Sequence, residues 1–299
     1  MIDKKYLSLN NTLLLFFTLL SFILVALYSG NILSKNFLST ITCLFLILTI
    51  GVSHGALDNI KGYKILKTYN IKNKFIFYFI YIFLALSIIL IWTIFPTTAL
   101  ITFLIVAAYH FGREDSWGVP IIESNFNVIK FFLKGSLIIL APLWLSFNET
   151  ILIFKTLGIK NDEFYNFLYF ISISEFFLYF IFLSVLSNIS ISRNPKYLIG
   201  FTIEIFCILG LYYIFSPLVA FTIYFCFLHS IRHSASLTQE FNIGIIKFIE
   251  KAWPLTLLTA IFFFIGIYIL TGFQKVDIDN SIINVIFIGL ASLTFPHIL

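Results

Sequence analysis

Long apolar runs set the tightest limit on how this chain can fold. About ten of them, at residues 12–28, 37–57, 74–95, 97–112, 126–147, 164–187, 197–215, 217–236, 253–272 and 281–298, follow one another across short polar connections. Lipid offers a backbone N–H or C=O no hydrogen-bond partner, so a spanning segment must close its own bonds. As a helix it needs about 20 apolar residues to cross about 30 Å of hydrocarbon. The expected fold class is therefore all-α: a polytopic transmembrane helical bundle of about ten (eight to ten) membrane helices, forming one integral membrane domain over residues 1–299. The lower count allows for the short fourth run, which follows Pro96, and the eighth, which follows Ser216-Pro217, as kinked or re-entrant segments. No linker, low-complexity tract or internal repeat breaks the pattern.

Composition removes the alternatives. With 60% hydrophobic and 11% charged residues and a mean hydropathy of +1.01, the chain is far from the roughly 25% charge of soluble domains. The net charge of +5 does not point to nucleic acid, because the lysines lie between apolar runs rather than along one basic face. They act as topology signals instead. With a cytoplasmic N-terminus, the inside loops and helix flanks hold fifteen basic residues and the outside only Lys35, Lys155, Lys160 and Lys275. That asymmetry predicts a multi-pass protein of the cell membrane with its N-terminus inside. Lys4 and Lys5 before an apolar run resemble a signal peptide, but no A-x-A-like site follows, so the run reads as the first helix. Cys43, Cys207 and Cys226 stand alone without CxxC spacing and imply neither a disulfide framework nor a zinc ribbon.

The chemistry gathers at the five histidines. His54, His110, His229, His233 and His297 all fall near the ends of even-numbered runs, which share one direction, so four separate helices bring imidazoles to one leaflet. His229 and His233 are four apart, on one helical face, with Cβ atoms about 5–6 Å apart. This spacing can chelate a metal, although HxxxH also arises in helices by chance; the other histidines at that depth shift the balance toward ligation. A thiolate-free imidazole site suits Fe, Cu, Ni or Zn without choosing among them. Carboxylates stand close by, with Asp58 one turn after His54 and with Glu114 and Asp115 after His110. Such groups orient ligating imidazoles. Read the other way, these three with Arg113 and Arg232 are solvated interface charges. Glu204 in the seventh run and Glu175 in the sixth are candidates for an outer layer of the site or protonated structural carboxyls.

Four motifs, GVSHGALD (51–58), YHFGRED (109–115), HSIRH (229–233) and FPHIL at the C-terminus, resemble in order and spacing the Brp/Blh family of bacterial and archaeal β-carotene dioxygenases. The resemblance implies that His54, His110, His229 and His233 ligate a non-haem Fe(2+). It also implies cleavage of the central 15,15' double bond of β-carotene with O2 into two all-trans-retinals, which microbial rhodopsins use as chromophore. Asp58, Asp115, Glu204 and His297 would then stand in a second layer, His297 alternatively in the substrate pocket. Aromatic residues beside the histidines, Tyr109, Phe111, Tyr224, Phe225 and Phe227, are candidates for a tunnel wall, with lipid contact or packing as the alternative. Two departures are Ser53, where the family has Pro, and an end two residues after His297, where relatives continue, which implies a shortened C-terminus.

Other classes fit less well. A desaturase-like di-iron centre draws on more histidines than five. A haem cannot be clamped from both sides by His229 and His233 on one face. A retinal-binding pigment needs a mid-helix lysine, and none is apparent. A transporter or binding protein for an apolar isoprenoid would instead show inverted repeats and broken helices at the midplane.

Overall fold

The computed structural model describes residues 4–298 other than 120, 123, 174, 193 and 194, and the backbone alone at 4–7 and His54. Among the described residues all regular structure is helical. The first run is α1 (Lys4–Ser29). The second is a series: α2 (Thr40–Leu46), a π turn (Ile47–Gly51), a 3-10 turn (Val52–Leu57) and α3 (Asp58–Thr68). Next come α4 (Phe75–Ile94), α5 (Pro96–Glu114) and α6 (Asn127–Leu145), followed by a short α7 (Phe147–Thr156) that the hydropathy pattern does not separate. The sixth run is broken: α8 (Asp162–Ile173) and α9 (Phe176–Ile191) meet at a 70° bend. The seventh is α10 (Pro195–Ile214). The eighth is α11 (Pro217–Tyr224), a second π turn (Phe225–Ser230) and α12 (Ile231–Glu240). The chain finishes with α13 (Ile245–Gly272) and α14 (Ile278–Ile298).

Seven of these stretches are long and apolar enough to cross a membrane, or eight with the bent α8–α9 pair as one span. The remaining expected spans are α5, which ends in the polar sequence YHFGRE, and the interrupted α11–α12 series. Both belong to the histidine region. Local chemistry sets the ends: proline opens α5, α10 and α11, where its missing N–H costs nothing. Ser39 caps α2 by accepting from the Thr42 N–H at 3.2 Å, and Asp277 accepts from the Asn280 N–H at 3.0 Å as α14 begins. Asn31, Asn70 and Asn242, with φ of 57°, 59° and 49°, follow α1, α3 and α12 as left-handed terminators.

Packing is tightest where α5 crosses α6. A Cβ on Gly112 would fall 1.7 Å from the Phe131 carbonyl oxygen, and one on Gly135 would fall 1.8 Å from that of Ala108. The two backbones therefore touch, as small residues four apart allow helices in lipid to do. This crossing fixes the end of α5, which carries His110 and Glu114 and leads into Asp115, against α6. Large apolar side chains on the opposite faces, such as Phe79, Phe83 and Leu86 on α4 and Phe262 and Phe264 on α13, are exposed as lipid-facing residues are.

Gly112→Ala should lower stability in detergent by at least about 1–3 kcal/mol, since nothing but backbone stands where the methyl must go. Gly210→Ala, with open space around the new methyl, should leave it unchanged. A thermal melt of purified protein checks both, and equal midpoints for the two variants would contradict the close crossing.

Candidate metal centre

Three non-contiguous pieces of chain bring four described imidazoles together. α5 supplies His110, the π turn and α12 supply His229 and His233, and the last turn of α14 supplies His297. Ring centres lie 5.2 Å apart for His110 and His229, 5.0 Å for His110 and His297, and 5.3 Å for His233 and His297. His110 to His233 is 6.3 Å, and His229 to His233 is 6.5 Å with the rings 14° from parallel. His54 sits on the 3-10 turn, and its side chain lies outside the described residues. Its backbone neighbour is at the cluster: a Cβ on Gly55 would be 3.7 Å from His297 Nδ1. The Ser230 hydroxyl donates to the Gly51 carbonyl at 3.0 Å, tying the two irregular turns together. π and 3-10 segments inside helices recur at functional sites. Here they carry His54 and His229.

Three of the rings share one arrangement. His229 Nδ1 lies 3.0 Å from Asp115 Oδ1, His233 Nδ1 lies 2.7 Å from Glu114 Oε2, and His297 Nδ1 lies 2.8 Å from both oxygens of Asp58. A carboxylate on Nδ1 holds the proton there, so Nε2 is the nitrogen that carries the lone pair. Hydroxyls steady the carboxylates: Tyr224 donates to Asp115 at 2.5 Å and Tyr81 to Asp58 at 3.2 Å. The alternative reading of Asp58, Glu114 and Asp115 as solvated charges is thereby corrected, since each is taken up by a ring. Asp58 stands one turn after His54 in sequence, yet its carboxylate goes to His297, 239 residues away.

A second layer of charge surrounds Asp115. Arg232, 1% exposed, donates to Glu204 at 2.9 Å and to the Asp115 carbonyl at 3.2 Å. Lys134, the eighth residue of α6 and 4% exposed, donates to the same carbonyl at 2.6 Å and reaches the hydroxyls of Ser116 and Tyr197. Arg232 is thus no interface charge, and Glu204 is its buried partner. Lys134, the eighth of nineteen residues in α6, corrects the reading that no mid-helix lysine is apparent. The hydropathy pattern hides it, because one cation barely lowers the mean of a run rich in Phe, Leu and Ile.

The aromatic candidates divide. Phe111 meets the His229 ring edge-on at 4.8 Å, and Phe225 stacks on it at 5.7 Å. Tyr224 serves Asp115 through its hydroxyl rather than forming an open wall. Tyr109 packs on Phe131 in a separate cluster with Val119, Ile191 and Tyr197, and half-buried Phe227 packs on the main core. Glu175 is exposed at the α8–α9 bend, where it accepts from Tyr179, and so lies in no outer layer of the site. Arg113 is exposed, and the Ser53 hydroxyl bonds back to the Ile50 carbonyl. The three cysteines are free and buried, as packing residues are.

The donor set suits a metal ion in type, spacing and charge. An imidazole bound through one nitrogen at about 2.1 Å places its ring centre about 3.2 Å from the ion, so two rings on one ion lie roughly 4.5–6.5 Å apart. The five separations above fall within that window. Among the described residues no three donors are already drawn together at binding distance, so donor type, ring spacing and charge are what fit. Four carboxylates, Asp58, Glu114, Asp115 and Glu204, face two basic side chains, Lys134 and Arg232. With neutral imidazoles this leaves two negative charges, which a divalent cation matches and a low-dielectric interior otherwise resists.

Fold and cluster together define a helical membrane protein with a histidine and carboxylate centre near the ends of its spans. The family model described as "Beta-carotene 15,15'-dioxygenase" matches residues 45–299, and the chain belongs to that family. A protein of the same description from uncultured marine bacterium 66A03 is 28% identical over 258 residues, covering 86% of this chain and 90% of its own. No solved structure matches the chain.

Arg232→Met should cost about 3–5 kcal/mol, because it strands the buried Glu204 carboxylate and removes a donor from the Asp115 carbonyl. Adding Glu204→Gln should restore part of the loss. Denaturant unfolding in detergent measures both, and a double variant as unstable as the sum of the two single ones would contradict the coupling.

Proposed function

We propose that this chain is a membrane-embedded non-haem iron oxygenase that cleaves the central 15,15' double bond of β-carotene with O2 to give two all-trans-retinal molecules. The observation that carries the reading is the meeting of His110, His229 and His233 from separate elements, with Asp115 and Glu114 on the Nδ1 atoms of the last two. The family and the description of its marine relative support the substrate. His54, His110, His229 and His233 would hold Fe(2+), His229 and His233 through Nε2. The chemistry that ferrous iron supplies when bound is the activation of O2 toward a polyene. Two aldehydes account for both atoms of one O2.

The chain's own residues do the rest. Asp115 and Glu114 keep the protons on Nδ1 and hold the rings in one orientation, which lowers the cost of assembling the centre. Arg232 and Lys134 balance Asp115, and Tyr224 fixes its second oxygen. Phe225 stacks on the His229 ring and Phe111 meets it edge-on, which helps keep water from it. β-Carotene is an apolar rod of about bilayer length that stays dissolved in lipid, so an entry opening sideways into the membrane meets it at high local concentration. We place the N-terminus and the histidine cluster on the cytoplasmic side, following the lysine asymmetry, where retinal is released into the same bilayer that holds rhodopsins.

Expression in β-carotene-producing bacteria tests this directly. Orange colour should fade while retinal appears by chromatography, and membranes that contain the protein yet keep their colour would overturn the reading. His229→Ala should abolish retinal formation with membrane insertion unchanged. Asp115→Asn should lower it about 10–100-fold, as the loss of an orienting carboxylate does. Full activity in His229→Ala would remove that residue from the centre.

A further inference from the structure

We infer that His297 is itself a ligand of the metal, and that Asp58 holds it for that role, so that the last helix closes the centre. The inference rests on the reading above, in which the neighbouring histidines bind an ion, and adds to it a residue from the far end of the chain.

Position is the first ground. The His297 ring centre lies 5.0 Å from that of His110 and 5.3 Å from that of His233, as close as His110 lies to His229 at 5.2 Å. It meets both neighbours nearly edge-on, at 85° and 71°. A ring outside the ligand shell would stand behind one of these histidines. His297 instead makes a near-equilateral triangle with two of them, with sides of 5.0, 5.3 and 6.3 Å.

Bonding is the second ground. Asp58 approaches His297 Nδ1 with both oxygens at 2.8 Å, which repeats the arrangement of His229 with Asp115 and His233 with Glu114. Such a partner leaves Nε2 as the basic nitrogen and raises its strength as a donor. Asp58 is in turn placed by its position at the start of α3 and by the Tyr81 hydroxyl at 3.2 Å. The pair is not a surface ion pair, since its side chains are only 10% and 11% exposed.

The rival role is a clamp, in which Asp58 and His297 merely join α3 to α14. His297→Asn separates the two roles. The asparagine amide can sit where Nδ1 was and still donate to Asp58, while the atom that would bind metal is gone. Co(II) serves as the probe, titrated into purified metal-free protein in detergent and read by its visible absorption, with a thermal melt alongside.

For a ligand, His297→Asn should melt near wild type but bind Co(II) at least about 100-fold more weakly, beyond the roughly 10–100-fold expected of an outer partner. Its spectrum should also differ from that of Asp58→Asn, which keeps the ring. If the asparagine variant is too unstable to purify, His297→Ala with added imidazole serves instead, and recovery of the wild-type spectrum supports the ligand. Wild-type affinity and spectrum in His297→Asn, or in His297→Ala before imidazole is added, would leave His297 a clamp and overturn the inference. If wild-type protein takes up no Co(II), or His229→Ala takes it up unchanged, the metal reading itself fails, and the two failures are told apart.

Discussion

The candidate site depends on carboxylates holding histidine rings in a place with little water. A buried carboxylate without a partner is costly, and a buried imidazole without an orienting bond is free to turn. Pairing Asp115 with His229, Glu114 with His233 and Asp58 with His297 answers both problems at once. The negative charge that remains is what a divalent ion can neutralise. Arg232 and Lys134 then limit that charge, since without them four carboxylates would crowd one small volume. In the proposed reading, stability and metal affinity would be set by the same bonds.

The helices exist to bring these bonds together from distant parts of the sequence. α5 delivers His110, Glu114 and Asp115 within six residues, and its contact with α6 through Gly112 and Gly135 carries Lys134 to the Asp115 carbonyl. Regular helices would leave the histidine-bearing segments of the second and eighth runs straight. Instead a π turn interrupts each, followed in the second run by a 3-10 turn, and the Ser230 to Gly51 bond locks one interruption against the other. Irregular backbone of this kind is tolerated in a membrane protein only where other parts of the protein cover it.

Much of this was legible in the sequence, and the exceptions share a cause. Apolar runs revealed the helices because hydropathy is additive along the chain, and histidines in so apolar a background pointed to the cluster that the fold brings together. The 70° bend between α8 and α9 was hidden because the apolar run continues across it, which also made Glu175 look like a mid-membrane carboxylate. Both π turns were hidden for the same reason. Pairings were the least legible. His229 with Asp115 and His297 with Asp58 join residues 114 and 239 positions apart, and no local pattern selects one carboxylate over another. Tyr109 and Phe111 are two residues apart in one motif, yet a helical turn of about 100° per residue sends one to a separate cluster and the other to His229. Lys134 could be counted as a flanking charge only because its partners on α5 and α10 are invisible to a window of sequence.

The central claim is that imidazoles from separate spans share one ion. Iron K-edge X-ray absorption on protein purified without oxygen and loaded with Fe(2+) tests it most directly. The expected result is one iron per chain, with nitrogen and oxygen neighbours at about 2.0–2.2 Å and the outer scattering of at least three imidazole rings. Iron well below one per chain, sulfur at about 2.3 Å, or a shell without imidazole scattering would contradict it.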